Sequence, residues 1–250
     1  MKQIVPKSLL ICLLLSPLSA VGLINGTPLK VEELPDLVRL VFKNGSMCTG
    51  AFIDEYTILT AAHCLTKDQG ENFHQLENIL YINDSAIQVN QIQNITHPDY
   101  DHSWWPDHDI GIIKTSKNLS FKHNFSMELE KVPRVGTAHL YGCGIVEFTP
   151  KKRLRTEGQN QFLRLGQVLL FLGKSKNIQT ELGTHTSVAP NDSGAPVLDL
   201  STGRIIAIAT QASSKESAEY GLPSISVATS IVNKSNQQFV SNHMGIISQP

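Results

Sequence analysis

Short apolar stretches rich in Val, Ile, Leu and Thr alternate with polar, turn-forming clusters over most of the chain. That rhythm belongs to β-strands broken by turns. Strands are predicted over Leu37–Phe42, Met47–Ile53 and Tyr56–Thr60, with an Asn-Gly hairpin signal at Asn44-Gly45 joining the first two. Further strands are predicted over Asn78–Ile82, Ala86–Ile95 and Ile110–Lys114, then over Thr137–Tyr141, Arg164–Leu172, Ala195–Leu198, Arg204–Thr210 and Ser224–Thr229. Residues 66–77 are polar and read as a surface loop; 115–130 read as a linker between two similar halves that share no sequence repeat. Residues 231–243 break the rhythm, because Ile231, Val232, Phe239 and Val240 among polar residues predict a C-terminal amphipathic helix. The predicted fold class is all-β, a sandwich or barrels.

Residues 1–22 have a different character. Lys2 and Lys7 accompany the apolar run Ser8–Leu15, which Pro17 closes off. A positive start, a short apolar core and small residues at Ala20 and Gly22 form the layout of a secretory signal peptide. Cleavage fits after Ala20 and after Gly22. The mature chain, 23–250, is expected to be secreted to an extracellular or periplasmic space as a monomer. It is expected to leave the membrane with its leader, because no later run approaches the roughly 18 apolar residues of a span.

The net charge of −1 offers no field to recruit nucleic acid or an anionic membrane. Of four cysteines, Cys12 lies in the leader. Cys48, Cys64 and Cys143 remain, which allows one internal disulfide and leaves one thiol over. Eight Asn-x-Ser/Thr sequences, at Asn25, Asn44, Asn83, Asn94, Asn118, Asn124, Asn191 and Asn233, read as the by-product of an Asn- and Ser-rich chain.

Three stretches carry candidate chemistry. Thr60-Ala61-Ala62-His63-Cys64 puts an imidazole, the usual general base near neutral pH, at the end of an apolar strand. Asp107-His108-Asp109 precedes another, so Asp109 can be carried inward to an imidazole N–H while Asp107 and His108 read as a solvated turn. Pro190-Asn191-Asp192-Ser193-Gly194-Ala195-Pro196 is a tight turn that can hold one hydroxyl forward and aim backbone N–H groups at a developing oxyanion. The nine His residues show no metal-ligand spacing.

Thr-Ala-Ala-His-Cys, Asp-Ile-x-x-Ile-Lys and Asp-Ser-Gly-x-Pro, in this order and 46 and 84 residues apart, resemble the chymotrypsin-like (trypsin family) serine peptidases. Leu23-Ile24-Asn25-Gly26, Cys48-Thr49-Gly50, the run Ile95–Tyr100 and Tyr141-Gly142-Cys143-Gly144 extend the likeness over essentially 23–243. The resemblance implies two six-stranded antiparallel β-barrels, about 28–118 and 131–230, with the helix at about 231–243. It implies a Ser193–His63–Asp109 triad, an oxyanion hole from the N–H groups of Asn191 and Ser193, and a disulfide between Cys48 and Cys64. It implies polypeptide substrates and needs neither cofactor nor metal. A pocket lined by Ser187, Val188, Thr210, Gln211 and Ala212 is expected, with Thr210 also near Asp109. Ser187 stands where Arg/Lys-selective members carry Asp, and Ala209 where glutamate-selective members carry His. An uncharged pocket for an apolar residue is therefore expected. The family also implies that the ammonium of a freed N-terminus, here Leu23, pairs with Asp192. Gly22 supplies no tryptic activation site, so cleavage of the leader after Gly22 is expected to make that end directly.

The chain departs from the family pattern at Ala189 (usually Cys), Cys143 (Trp), Asn191 (Gly) and Ala195 (Gly). A catalytically silent relative serving as a binding module, and an esterase, are the alternative readings.

Overall fold

The computed structural model describes residues 27–29, 34–66, 76–80, 90–102, 106–118, 121–127, 132–148, 151–153, 156–165, 168–173, 188–212 and 224–245. The N-terminal half contributes β2 (Leu37–Phe42), β3 (Met47–Asp54), β4 (Thr57–Thr60), β5 (Leu76–Leu80), β6 (Gln91–Thr96) and β7 (Gly111–Thr115). They form one antiparallel sheet in the order β5-β2-β3-β4-β7-β6. The end strands β5 and β6 are not paired with each other, and residues 81–89, which join them in sequence, lie outside the described residues.

The C-terminal half contributes β8 (Val135–Gly142), β11 (Thr156–Leu165), β12 (Val168–Gly173), β13 (Pro196–Asp199), β14 (Ile205–Ala212) and β15 (Ser224–Ser230). Each pairs with two neighbours, β8-β11-β12-β15-β14-β13 and back to β8, so this six-stranded sheet closes into a barrel. Closure leaves no unpaired edge. The short β1 (Thr27–Pro28) adds to β11 of this half rather than to the N-terminal sheet. β9 (Ile145–Phe148) and β10 (Lys151–Arg153) form a separate hairpin.

The predicted strand Arg164–Leu172 is two strands: Gly166-Gln167 separates β11 from β12, which pair directly. The first part of β11, Thr156–Gln161, is polar enough to hide its strand from a hydrophobic pattern.

β2 is buried almost along its whole length, which fits its apolar residues on both faces, with Arg39 buried among them. Val38, Leu40, Phe42, Phe52, Ile58 and Ile113 fill the N-terminal half. Ala138, Leu140, Leu169, Val197, Ile206 and Ala228 fill the barrel. A further cluster runs through both halves, with Leu37, Ile110 and Ile112 meeting Ile205, Ile208, Ile231 and Phe239. The helix, α1 (Lys234–Asn242), is shorter than predicted at both ends. It starts after Asn233, whose side chain accepts from the Asn236 N–H as an N-cap. The chain's end is latched by Lys114, whose Nζ donates to Thr57 Oγ1 (2.8 Å), the His243 carbonyl (2.7 Å) and the Gly245 carbonyl.

Candidate active site

β4 ends at Thr60, and a single 3-10 turn follows over Ala62–Cys64. Ala61 and Ala62 are fully buried, and a Cys48–Cys64 disulfide ties the turn to β3. Between these anchors the His63 side chain stays 34% exposed. Asp109 lies just ahead of β7, drawn inward because the next residue, Ile110, is fully buried. His63 Nδ1 stands 2.7 Å from Asp109 Oδ2, and the His63 backbone N–H donates to Oδ1 at 2.8 Å. The carboxylate thus grips one residue at ring and backbone, puts the ring proton on Nδ1 and leaves the Nε2 lone pair available. Burial lowers the proton affinity of His63, but the charge and hydrogen bond of Asp109 outweigh it, so its pKa is raised above 6.5.

The Ser193 turn is held from several directions. Asp192 N–H donates to the Ala189 carbonyl (3.0 Å), Ala195 N–H to that of Asp192 (2.9 Å) and Gly194 N–H to that of Ala209 (2.7 Å). Thr49 on β3 donates its N–H to the Ser193 carbonyl (2.8 Å) and its hydroxyl to the Asn191 carbonyl (3.0 Å). The same hydroxyl accepts from the Cys143 N–H at 3.1 Å. Gly194 has φ +85°, and a Cβ there would lie 2.1 Å from Thr60 Oγ1. Asn191 also has a positive φ, 75°. The N–H groups of Asn191 and Ser193 donate to no described residue. Ser193 Oγ and His63 Nε2 are not joined by a hydrogen bond. They share one neighbourhood, since Cys64 Sγ lies 3.8 Å from His63 Nε2 and 3.7 Å from the Ser193 carbonyl.

Asp192 is fully buried beneath this turn. Its oxygens accept from the N–H groups of Gly144 (2.7 Å) and Ala189 (2.9 Å). A Cβ on Gly142 would sit 2.2 Å from Oδ1, so this approach needs the glycine. Burial pushes the carboxyl up to about 7 although backbone donors from Ala189, Gly144 and Cys143 pull the other way.

Residues 23–235 match the protein-family model described as Trypsin. The chain belongs to the trypsin family. Trypsin theta of Drosophila melanogaster is 32% identical over 155 residues, 54% of this chain and 58% of that protein. Trypsin, alkaline B of Manduca sexta is 29% identical over 112 residues, 43% of each. A venom serine protease of Polistes dominula is 30% identical over 108 residues, 40% of this chain and 38% of that protein. The chain thus spans between about a third and three-fifths of these relatives' own length. Among solved structures, a Glu endopeptidase covers 90% of this chain and 98% of its own with TM-score 0.62, and HL collagenase 90% and 99% with 0.60. Both are 17% identical to it, a likeness of fold alone.

Within this trypsin-family frame the remaining expected residues divide. Leu23 and Ser187, and the side chain of Ala212, lie outside the described residues. Val188 is buried, its N–H donating to Ser226 Oγ at 3.0 Å, and Gln211 is half-buried. A bulge in the β14–β15 ladder falls at Thr210, and its hydroxyl donates to the Val227 carbonyl at 3.1 Å.

His108 is not a solvated turn residue. Its ring stacks on His97 at 4.5 Å, and its Nδ1 lies 2.8 Å from Asn236 Oδ1 on α1. His97 Nε2 lies 3.1 Å from Ser235 Oγ, and Phe239 packs 5.0 Å away. The residue preceding Asp109 is therefore fastened to the C-terminal helix, a link that a separation of 128 residues hides in the sequence. With Asp99 these two rings bring three potential ligand atoms within 4.8 Å. The rings lie 16° from parallel, so their in-plane lone pairs run side by side instead of converging on an ion. Among the described residues, no helix is long and apolar enough to cross a membrane.

Proposed function

We propose that the protein is a secreted serine endopeptidase in which Ser193, His63 and Asp109 form a catalytic triad. The observation that carries this reading is the double grip of Asp109 on His63, which leaves Nε2 as a base beside Cys64 Sγ, itself 3.7 Å from the Ser193 carbonyl. Ser193 Oγ attacks the scissile carbonyl carbon while its proton passes to His63 Nε2. The charge that forms on the carbonyl oxygen is met by the N–H groups of Asn191 and Ser193, which have no other acceptor among the described residues. Collapse of the tetrahedral species breaks the C–N bond, and His63 gives its proton to the departing amine. Water then enters, loses a proton to His63 and releases the acyl group, restoring Ser193. Asp109 stays ionised throughout and stabilises the imidazolium. The chemistry draws on side chains and backbone alone, without metal or cofactor.

The leader 1–22 carries the chain to export, and a new N-terminus at Leu23 delivers its ammonium to Asp192. The pocket, with Ser187 in place of a carboxylate beside Val188 and Ala212, selects an uncharged, apolar residue rather than Arg or Lys. Labelling with a fluorophosphonate probe tests the core of this reading. The secreted protein is expected to label once and Ser193→Ala to stay unlabelled. A folded, processed protein that fails to label discards the triad, and a peptide library then reads the pocket.

A further inference from the structure

The fold sorts the Asn-x-Ser/Thr sequences in a way the sequence does not. Six fall among the described residues. Asn94 and Asn118 are buried, at 9% and 4% exposure. Asn191 sits two residues from Ser193 at positive φ, its carbonyl held by Thr49. Asn233 caps α1: its Oδ1 accepts from the Asn236 N–H and its Nδ2 donates to the Ser230 carbonyl. The hydroxyl of its partner Ser235 is bonded to His97. A sugar on any of these four side chains displaces core packing, the Ser193 turn or the helix cap.

Asn44 and Asn124 differ. Asn44 stands at the tip of the β2–β3 hairpin, where residues 43–46 are all exposed. Gly45 takes the positive φ the turn needs, 82°, and its N–H donates to the Phe42 carbonyl, while the Asn44 side chain accepts from the Ser46 N–H at 3.0 Å through Oδ1, the atom a sugar on Nδ2 leaves in place. The Ser46 hydroxyl donates to Asn44 Oδ1 at 2.7 Å, so the acceptor amide and the hydroxyl of this sequence face each other. Asn124 and Ser126 are likewise exposed while Phe125 between them is buried at 4%. The segment is fixed through the backbone, by the Asn124 N–H on Asp36 Oδ2 (2.9 Å) and the Ile205 N–H on the Ser126 carbonyl (2.7 Å), which leaves both side chains directed outward.

We propose that Asn44 and Asn124 are N-glycosylation sites and that Asn94, Asn118, Asn191 and Asn233 stay bare, an assignment that rests on the export proposed above. The co-reactant is a lipid pyrophosphate-linked oligosaccharide of a eukaryotic secretory compartment. A bond forms between the amide Nδ2 and the first sugar's anomeric carbon, the bond from that carbon to the lipid pyrophosphate breaks, and the amide proton leaves with it.

The test expresses the full chain in insect cells and maps sugar attachment on peptides after enzymatic deglycosylation. Sugar is expected on the Asn44 and Asn124 peptides of the secreted protein, with Asn44→Gln and Asn124→Gln each removing one step of mass and the double variant losing both. A second form in which an established secretory leader replaces residues 1–22 separates the two readings. If it carries sugar while the native form stays inside the cell unglycosylated, export by 1–22 fails and the assignment stands. A bare Asn44 or Asn124 in protein recovered from the medium, or sugar on any of the four excluded positions, overturns the assignment.

Discussion

The hydroxyl of Thr49 donates to the carbonyl of Asn191 across 3.0 Å, joining β3 of the N-terminal half to the turn that carries Ser193. Asn191 holds a positive φ that a residue with a Cβ adopts at some cost. Thr49 fixes the carbonyl and thereby the attitude of the turn whose N–H groups form the proposed oxyanion hole. Thr49→Val keeps the shape but strands the Asn191 carbonyl and takes one acceptor from the Cys143 N–H, which also faces Asp192. It is expected to lower stability by about 1–3 kcal/mol and kcat by roughly 10- to 100-fold with KM little changed. Thr49→Ser should restore both. Steady-state kinetics beside denaturant titration decide it, and a Val variant with wild-type kcat removes Thr49 from the machinery.

Asp109→Asn should leave the fold intact and lower kcat about 10⁴-fold, as this change does in triads. The pH profile gives an independent reading. Asp109 raises the pKa of His63 above 6.5 against burial, so the acid limb of kcat/KM in the native enzyme should lie above that value. In the Asn variant, without the opposing charge, the limb should move down. By linkage, the stability from this pair is full below 6.5 and fades as pH climbs through the raised folded value. An acid limb that does not move in the variant takes His63 out of the role of base.

Asp192 titrates with the opposite consequence. Its folded value of about 7 lies above its ordinary 3.8, so the folded state keeps a proton that the unfolded chain loses between those values. Stability therefore declines as pH rises through this window unless a cation arrives. The probe-labelling rate of a chain still carrying its leader, taken relative to that of a chain beginning at Leu23, is expected to fall as pH rises through about 7, the titration of His63 being common to both forms. Superimposable profiles of the two forms would remove the freed ammonium from the mechanism.

Gly194→Ala is the most damaging single methyl group near the site. The new Cβ meets Thr60 Oγ1 at 2.1 Å and the Thr49 carbonyl at 2.3 Å, on a backbone with φ +85°. A left-handed penalty and overpacking together should cost on the order of 3 kcal/mol. Thermal unfolding measures this, with probe labelling falling in parallel. An unchanged midpoint sinks the expectation.

The order of the three motifs and the strands beside them, β4, β7 and β13, were legible because local patterns encode them, and the Cys48–Cys64 disulfide because the family resemblance implies it. β2 and β3 match their predicted strands nearly residue for residue. What escaped was set by distant partners. The polar start of β11 is a strand only because β8 pairs with it from Val135 to Gly142. The contacts of His108 with α1, and the bulge that turns Thr210 toward Val227, arise between residues far apart in sequence. Thr49 enters the sequence reading only as part of Cys48-Thr49-Gly50, and nothing in its neighbours marks it as the link to Asn191.

Cys143, the free thiol among the described residues once Cys48 and Cys64 have joined, is 1% exposed in the cluster that runs through both halves. No reagent reaches it without parting that seam. The rate at which an alkylating agent consumes this sulfur in buffer, without denaturant, is then a gauge of how often the molecule opens. Under fast reclosing, its logarithm should rise in step with the stability lost in the Thr49 and Gly194 variants, giving the protein an internal clock that needs no added label.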